Sequence, residues 1–108
     1  MAKEDASPPP KTFVEFSRRF PKIAEAWEAL GDAGQAGPLE KKTARLIKLG
    51  ISIASRLEGA THSATRKALS AGATREEVYQ VLALAASTIG LPMTVAAYTW
   101  VEDELKSK

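Results

Sequence analysis

"LEKKTARLIKLGISIASRLEGATHSATRKALSAGATREEV", residues 39–78, decides the fold class of this chain. Apolar residues recur in it every three or four positions, as at Leu46, Leu49 and Ile53, a spacing typical of one face of an α-helix. A helical pattern then continues past a weak point at Gly59 and ends at Gly72. Further apolar residues widen the first stripe, so the pattern predicts a long helix with two buried faces; they are Leu39, Ile47, Ile51, Ala54 and Leu57.

The end of the same stretch carries a strong helix start. The Thr74 side chain can accept a hydrogen bond from the backbone of Glu77, and the Glu77 side chain can reach back to Thr74, the reciprocal arrangement called a capping box. An alanine-rich helix follows and stops at Gly90. Pro92 then suits the first turn of a last helix, which runs to the tail.

The N-terminal third is organised differently. Residues 12–31 predict a short helical pair or one kinked helix, with phenylalanines at helical spacing before Pro21. The glycines and proline of residues 31–38 predict a loop. Residues 1–11, with three consecutive prolines, predict a flexible arm. Since there is no strand pattern, the sequence predicts an all-α bundle of five or six helices in one domain, residues 12–108.

The patterns of charge and hydropathy limit the classes of partner that this protein is expected to bind. The chain carries 15 Lys and Arg against 13 Asp and Glu, a formal net charge of +2. The cations alternate with acids instead of forming a basic run, so we expect no nucleic-acid partner. No apolar run approaches the ~20 residues of a membrane helix, and the first residues lack the apolar segment of a signal peptide. These patterns predict a cytoplasmic protein with no membrane partner.

The cysteine count excludes several kinds of chemistry. The sequence has no cysteine and a single histidine. Without cysteine there is no thiol peroxidase, disulfide exchange, zinc–thiolate or iron–sulfur chemistry. Transition-metal sites usually combine two or more His, Cys or carboxylate ligands, so the lone histidine predicts no metal site. The sequence also has no phosphate-binding glycine loop and no serine nucleophile elbow.

The lone histidine, His62, follows Glu58 by four residues. Side chains four apart on a helix lie on one face within contact reach. A carboxylate beside an imidazole favours its charged form and orients the ring, as general acid/base chemistry requires. Arg66 lies one turn further along the same line, and Ser55 nearly a turn before it. The face therefore offers an acid/base group, an orienting carboxylate and a cation.

Other interpretations of these residues remain open at this point. The same spacing is equally typical of a solvated ladder of charges on an exposed helix. Gly59 marks either a bend with close backbone approach at a functional site or close packing of two helices. Tyr98 and Trp100, in the last helix, are of the type that anchors a core or a subunit interface.

Residues 39–105 resemble the carboxymuconolactone decarboxylase family, which includes the alkylhydroperoxidase D-like proteins. The matching motifs are the long helix, the E-x3-H element at Glu58 and His62, "ALSAGATREE" at 68–77 and the "GLP" turn at 90–92. The resemblance implies an all-α subunit of alkylhydroperoxidase D-like fold that assembles as a homo-oligomer, a trimer or a hexamer.

The resemblance also separates two chemistries. The peroxidase branch carries a C-x-x-C pair shortly before the histidine, and a gapless match from His62 puts Ser55 and Glu58 at those positions. Since neither sulfur is present, peroxide has no thiolate to react with. The decarboxylase branch works without cysteine and matches Glu58 and His62. It implies a cofactor-free lyase, in which His62 protonates the carbanion left by CO2 loss and Glu58 holds the charge of the imidazole.

The resemblance implies a small carboxylated lactone or a related acid as substrate, decarboxylated or isomerised. In this hypothesis Arg66 or Arg45 binds the remaining carboxylate, and Ser55 is a further substrate-binding candidate. The alternative is a non-catalytic oligomeric scaffold, or a small-molecule-binding protein, of the same fold.

Overall fold

The computed structural model describes residues 9–106, and within them the chain forms helices and connecting turns only. No helix in this range is both long and apolar enough to cross a membrane. The all-α prediction is confirmed, with six helices in the described range: α1 (Lys11–Arg19), α2 (Pro21–Gln35), α3 (Lys41–Ala54), α4 (Glu58–Ser70), α5 (Arg75–Ile89) and α6 (Leu91–Lys106).

Helices α1 and α2 form the first of two compact units. Pro21 is the first residue of α2, where its fixed φ suits a helix start and its missing N–H is not needed. α2 was expected to end at Gly31, but it continues to Gln35, because a helical glycine costs only about 1 kcal/mol and the chain turns extended only at Ala36, shortly before Pro38. No residue of either helix is buried within this unit.

The predicted N-terminal arm lies mostly outside the described residues, which begin at Pro9. Pro9 and Pro10 are exposed and non-helical. α1 begins at Lys11, one residue before the predicted start of the domain. The single domain over residues 12–108 stays a prediction.

Helices α3 to α6 form the second unit, a four-helix bundle. Going around it in the order α3, α4, α6, α5, each helix packs mainly against its two neighbours. Small side chains dominate the interior, which allows the helices to approach closely. The buried apolar residues are Leu49, Ile53, Ala64, Ala68, Ala73, Val78, Leu82, Ala97, Val101 and Leu105.

Helix α3 buries one face in this bundle and leaves the other exposed. Leu49 and Ile53 are completely buried, whereas Ile47 and Ile51 are exposed. The prediction of two buried faces is therefore wrong for the chain by itself, because α4 and α5 cover only one side of α3. The other predicted apolar positions that lie exposed are Leu39, Ala54 and Leu57.

A tight turn, rather than a bend at Gly59, separates α3 from α4. α3 ends at Ala54 because the chain reverses here to pack α4 against it. Leu57 N–H donates to the carbonyl of Ser52 at 3.1 Å and Arg56 N–H donates to that of Ile53 at 3.1 Å, the bonds of a Schellman motif. Nothing lies within 4 Å of a Cβ placed on Gly59, so this glycine marks no close packing within the chain.

Arg56 occupies the position of this motif that usually holds glycine. Its φ is +60°, in the left-handed region. The same motif ends α4, where Ala73 N–H donates to Ala68 O and Gly72 stands at the left-handed position with a φ of +100°. The α3–α4 turn therefore holds a strained residue at the position where the α4–α5 turn holds an unstrained glycine.

The capping box predicted for α5 is confirmed. Thr74 accepts from the backbone N–H of Glu77 at 3.0 Å, and Glu77 accepts from that of Thr74 at 2.9 Å. The Glu77 carboxylate also accepts a hydrogen bond from Lys42 of α3 at 3.1 Å. The backbone bond from Thr74 and the bond from Lys42 both lower the pKa of Glu77 below its ordinary value. One carboxylate thus starts α5 and ties it to α3.

Replacing Arg56 with glycine is expected to raise the free energy of unfolding by about 1 kcal/mol, because the left-handed conformation costs a residue with a Cβ about 1–2 kcal/mol and glycine almost nothing. Urea denaturation measures the change. Arg56→Ala is the matched control, since it removes the same charge but keeps the strain. An equal gain in both variants would attribute the effect to the charge and contradict the strain argument.

The stabilising effect of Glu77 is expected to disappear in acid. A carboxylate whose pKa is lowered on folding stabilises the protein above its unfolded-state pKa, near 4.5, and this contribution is lost as the pH falls through the folded-state pKa. At pH 7 we expect Glu77→Gln to be less stable than the wild type, with the difference vanishing on acidification. The neighbouring Glu76→Gln, outside the capping box, should show a smaller difference at pH 7; equal differences would refute the assignment.

Candidate functional site

The candidate site lies along the edge of α4 that faces the end of α6. α4 buries a stripe of small residues against its neighbours, namely Thr61, Ala64, Thr65 and Ala68. Residues 58, 62 and 66 form the adjacent line along the helix, so their side chains emerge at the boundary of the buried stripe. The burial of one face thereby fixes the position of the polar face. Glu58 also lies in the first turn of α4, where a negative charge is favourable to the helix dipole.

Two side chains of α4 meet on one oxygen of Glu104, near the end of α6. His62 Nδ1 lies 2.7 Å from Glu104 Oε2, a hydrogen bond between α4 and α6. Arg66 Nη1 lies 3.2 Å from the same Oε2. On the other side of the ring, His62 Nε2 lies 3.7 Å from Glu58 Oε2, an ion-pair distance longer than a hydrogen bond. We call Glu58, His62, Arg66 and Glu104 the α4–α6 cluster.

Exposure divides the cluster in two. The side chains of Glu104, His62 and Arg66 retain 15%, 21% and 24% of their accessible surface, whereas that of Glu58 retains 64%. The bonds to Glu104 therefore lie in a sheltered region where electrostatic interactions are less screened. The Glu58 side of the imidazole faces water.

The structure brings some of the predicted site residues together. Glu58 and His62 are within contact reach, as their spacing predicts, and Arg66 lies in the same cluster. Ser55 lies instead at the C-cap of α3, exposed in the tight turn. Arg45 lies half-buried in the middle of α3, whereas the cluster is built from α4 and α6. Their roles as substrate-binding residues stay predictions.

Sequence reasoning missed Glu104, the residue that is hydrogen-bonded to the imidazole. It lies 42 positions after His62, so no local spacing connects the two. A signal was nevertheless present in the last helix. Because Glu104 follows Val101 by three residues and precedes Leu105, both completely buried, it had to lie at the edge of the buried face of α6.

The end of α6 that carries Glu104 is fixed by α5. Arg75 of α5 donates to the backbone carbonyl of Leu105 at 2.8 Å, which satisfies a helix C-terminal acceptor. Tyr79 donates to the Glu102 carboxylate at 2.5 Å, and this bond raises the pKa of the phenol. These two bonds tie α6 to α5 on both sides of Glu104.

The aromatic residues of α6 serve packing. Trp100 packs against the core of the bundle, and the ring of Tyr98 lies 6.3 Å from that of Tyr79. Tyr98 is itself exposed. The position of Trp100 agrees with an anchoring role in the core, whereas an interface role for Tyr98 stays a prediction.

The cluster combines the elements of acid/base chemistry. It holds an imidazole, two carboxylates and a guanidinium within hydrogen-bond or ion-pair distance of one another. Among residues 9–106, no group of three or more His, Cys, Asp and Glu side chains is arranged to hold a metal ion. The imidazole and carboxylates of the cluster could therefore transfer protons, and its guanidinium could bind an anion.

Comparisons with known proteins agree with this fold. The family model of the carboxymuconolactone decarboxylase family matches residues 21–103. The structure is similar to the apo crystal structure of a carboxymuconolactone decarboxylase family protein from Legionella pneumophila, with a TM-score of 0.79, 25% sequence identity, and coverage of 88% of this chain and 86% of that one.

A relative in Haemophilus influenzae, an uncharacterised protein, is 39% identical over 57 residues. The match spans 52% of this chain and 50% of that relative. Because the family model covers more than half of the sequence, in the same helices that build the cluster, the chain belongs to the carboxymuconolactone decarboxylase family.

Proposed function

We propose that this protein is a decarboxylase-like enzyme that acts without a cofactor on a small carboxylated lactone or a related acid. The observation that carries the proposal is the sheltered imidazole of His62, held by Glu104 at 2.7 Å with Glu58 on its other side. General acid/base catalysts need this combination of a fixed ring and a partner for its charge. A cytoplasmic location is part of the same proposal.

The proposed reaction is a proton-coupled loss of CO2. The bond between the carboxylate carbon and the ring breaks, CO2 leaves, and the electron pair is delocalised onto the neighbouring carbonyl as an enolate-like carbanion. The imidazolium of His62 donates its proton to that carbon and recovers one from water. Isomerisation through the same enolate uses the same group, with His62 removing the proton first. Two nearby carboxylates stabilise the imidazolium in either case.

Substrate anions are proposed to bind beside this imidazole. A guanidinium carries five N–H donors in a planar fork, so the ion pair of Arg66 with Glu104 is compatible with a second carboxylate partner. Arg45 and Ser55 remain the other substrate-binding candidates. Placed at Arg66, the substrate carboxylate would hold the reacting carbon near the ring of His62.

His62→Ala is expected to reduce the decarboxylation rate of carboxymuconolactone about 10²- to 10⁴-fold, the usual contribution of a general acid/base group. The measurement is the loss of lactone and the release of CO2 by the purified protein. Ser63→Ala, a change at the next position of α4, is the matched control and should retain the rate. Unchanged turnover in His62→Ala would contradict the mechanism, and no turnover of any such lactone would contradict the substrate class.

A non-catalytic scaffold of the same fold is the second candidate, and one observation favours it. Glu104 is hydrogen-bonded to His62 and ion-paired with Arg66, so the cluster joins α4 to α6 whether or not it is catalytic. In a scaffold, His62→Ala would lower stability without any activity to lose. In either case the absence of cysteine predicts no thiol-dependent consumption of peroxide, and clear peroxide turnover would contradict that reasoning.

Self-association is also proposed, through the exposed face of α3. A groove of about 420 Å³ runs between α3 and α5, with Leu46 and Val81 among its lining residues and the exposed Ile47 and Leu84 at its sides. The Lys42–Glu77 ion pair lies at the same helix pair. An apolar centre with charged neighbours is the usual anatomy of a subunit interface. A second copy presents the same face, so it is the occupant that we propose.

The double variant Ile47→Glu/Leu84→Glu is expected to dissociate the oligomer to a subunit of 11.6 kDa, because burying two carboxylates in an apolar interface costs several kcal/mol. Size-exclusion chromatography with light scattering measures the mass. Lys48→Glu, an exposed charge change on the same helix, should keep the oligomer. A monomeric wild type, or an unchanged mass in the double variant, would contradict this interface.

A further inference from the structure

We infer that Glu104 is a positioning residue that fixes the tautomer of His62, with the ring proton on Nδ1 and the Nε2 lone pair directed to the open side of the cluster. The inference that Nε2 reacts with substrate rests on the proposed function. The inference about the tautomer is independent of that function. Glu104 thereby takes the orienting role that spacing alone gives to Glu58.

The first step is the identity of the donor. Glu104 Oε2 forms an ion pair with Arg66 at 3.2 Å and lies 2.7 Å from His62 Nδ1. A carboxylate paired with a guanidinium is ionised and can only accept. The imidazole nitrogen facing it must therefore carry the proton in the neutral ring as well as in the charged one. This is the general rule that the bond made by one ring nitrogen decides the state of the other.

The second step is the asymmetry of the two carboxylates. Glu104 is 15% exposed and its helix is held by Arg75 and Tyr79, whereas Glu58 is 64% exposed and lies 3.7 Å from Nε2. A solvent-exposed carboxylate at that distance interacts only weakly with a ring N–H, because water screens its charge. The sheltered, fixed carboxylate therefore decides the tautomer, and Glu58 is left to stabilise the charge when Nε2 is also protonated.

The third step is what the tautomer provides. With Nδ1 bonded to Glu104, Nε2 is the nitrogen that can take up a proton and deliver it. It lies on the side of Glu58, whose side chain is mostly exposed, so this is the side from which the proposed substrate would approach. Loss of the tautomer would turn an N–H toward the same space and remove the basic lone pair.

The lone histidine makes the test direct. In 15N-labelled protein, a long-range 1H–15N correlation spectrum contains one imidazole spin system, and it distinguishes a protonated from an unprotonated ring nitrogen. At a pH where the ring is neutral, we expect the wild type to show a protonated Nδ1 and an unprotonated Nε2. A neutral ring protonated on Nε2 would overturn the proposal without any variant.

Two variants assign the effect. Glu104→Leu removes the acceptor that faces Nδ1, so we expect the neutral ring to shift toward the tautomer protonated on Nε2, which an unconstrained histidine side chain favours in water. Glu58→Gln should leave the proton on Nδ1. Retention of the wild-type Nδ1 tautomer in Glu104→Leu, or its loss in Glu58→Gln, would overturn the assignment. The spectra need no substrate, so failure to decarboxylate a lactone is a separate result that concerns the proposed function alone.

Discussion

The structure depends on the burial of one stripe of small residues along α4. Thr61, Ala64, Thr65 and Ala68 are almost free of solvent, and they bring α3 and α6 close to the axis of α4. A helix with one face fixed in this way has its rotation fixed as well. His62 and Arg66 must then emerge at the border of the core, where a charged group can be sheltered without being fully desolvated. The packing of alanine and threonine thus positions the only imidazole of the chain.

Features encoded by neighbouring residues could be predicted from the sequence, whereas features encoded by contact between helices could not. The capping box at Thr74 and the helix stops at Gly72 and Gly90 depend on a few adjacent residues, and the structure has all of them. The contact between Glu104 and His62 depends on how α6 is aligned against α4. A single sequence shows only that Glu104 lies at the edge of an apolar face, and does not show which helix packs there. The exposed face of α3 was misjudged for the same reason, since periodicity shows that a face is apolar and does not show what covers it.

The α3–α4 turn shows what changed where relatives in the peroxidase branch are expected to carry their two cysteines. Ser55 and Glu58 stand at the two ends of the Schellman turn, and Arg56 within it keeps a left-handed backbone. Strained backbone of this kind is costly and is often found at functional sites. The turn still presents residue 58 to the imidazole, but as a carboxylate. A carboxylate at this position can accept a proton, whereas thiol-dependent peroxide reduction requires a thiolate.

The polarity of the α4–α6 contact is hard to explain by stability alone. Two helices are held together as well or better by apolar side chains of similar volume, because sheltering charges requires their removal from water. The cluster keeps three charged or titratable groups at exposures between 15% and 24%, so each of them has lost most of its hydration. If the cluster only held α4 and α6 together, the position of Nε2 next to the exposed carboxylate of Glu58 would add nothing to that contact. A proton-transfer site needs a second ring nitrogen that a substrate can approach, and this consideration favours the proposal of a catalytic His62 over a purely structural one.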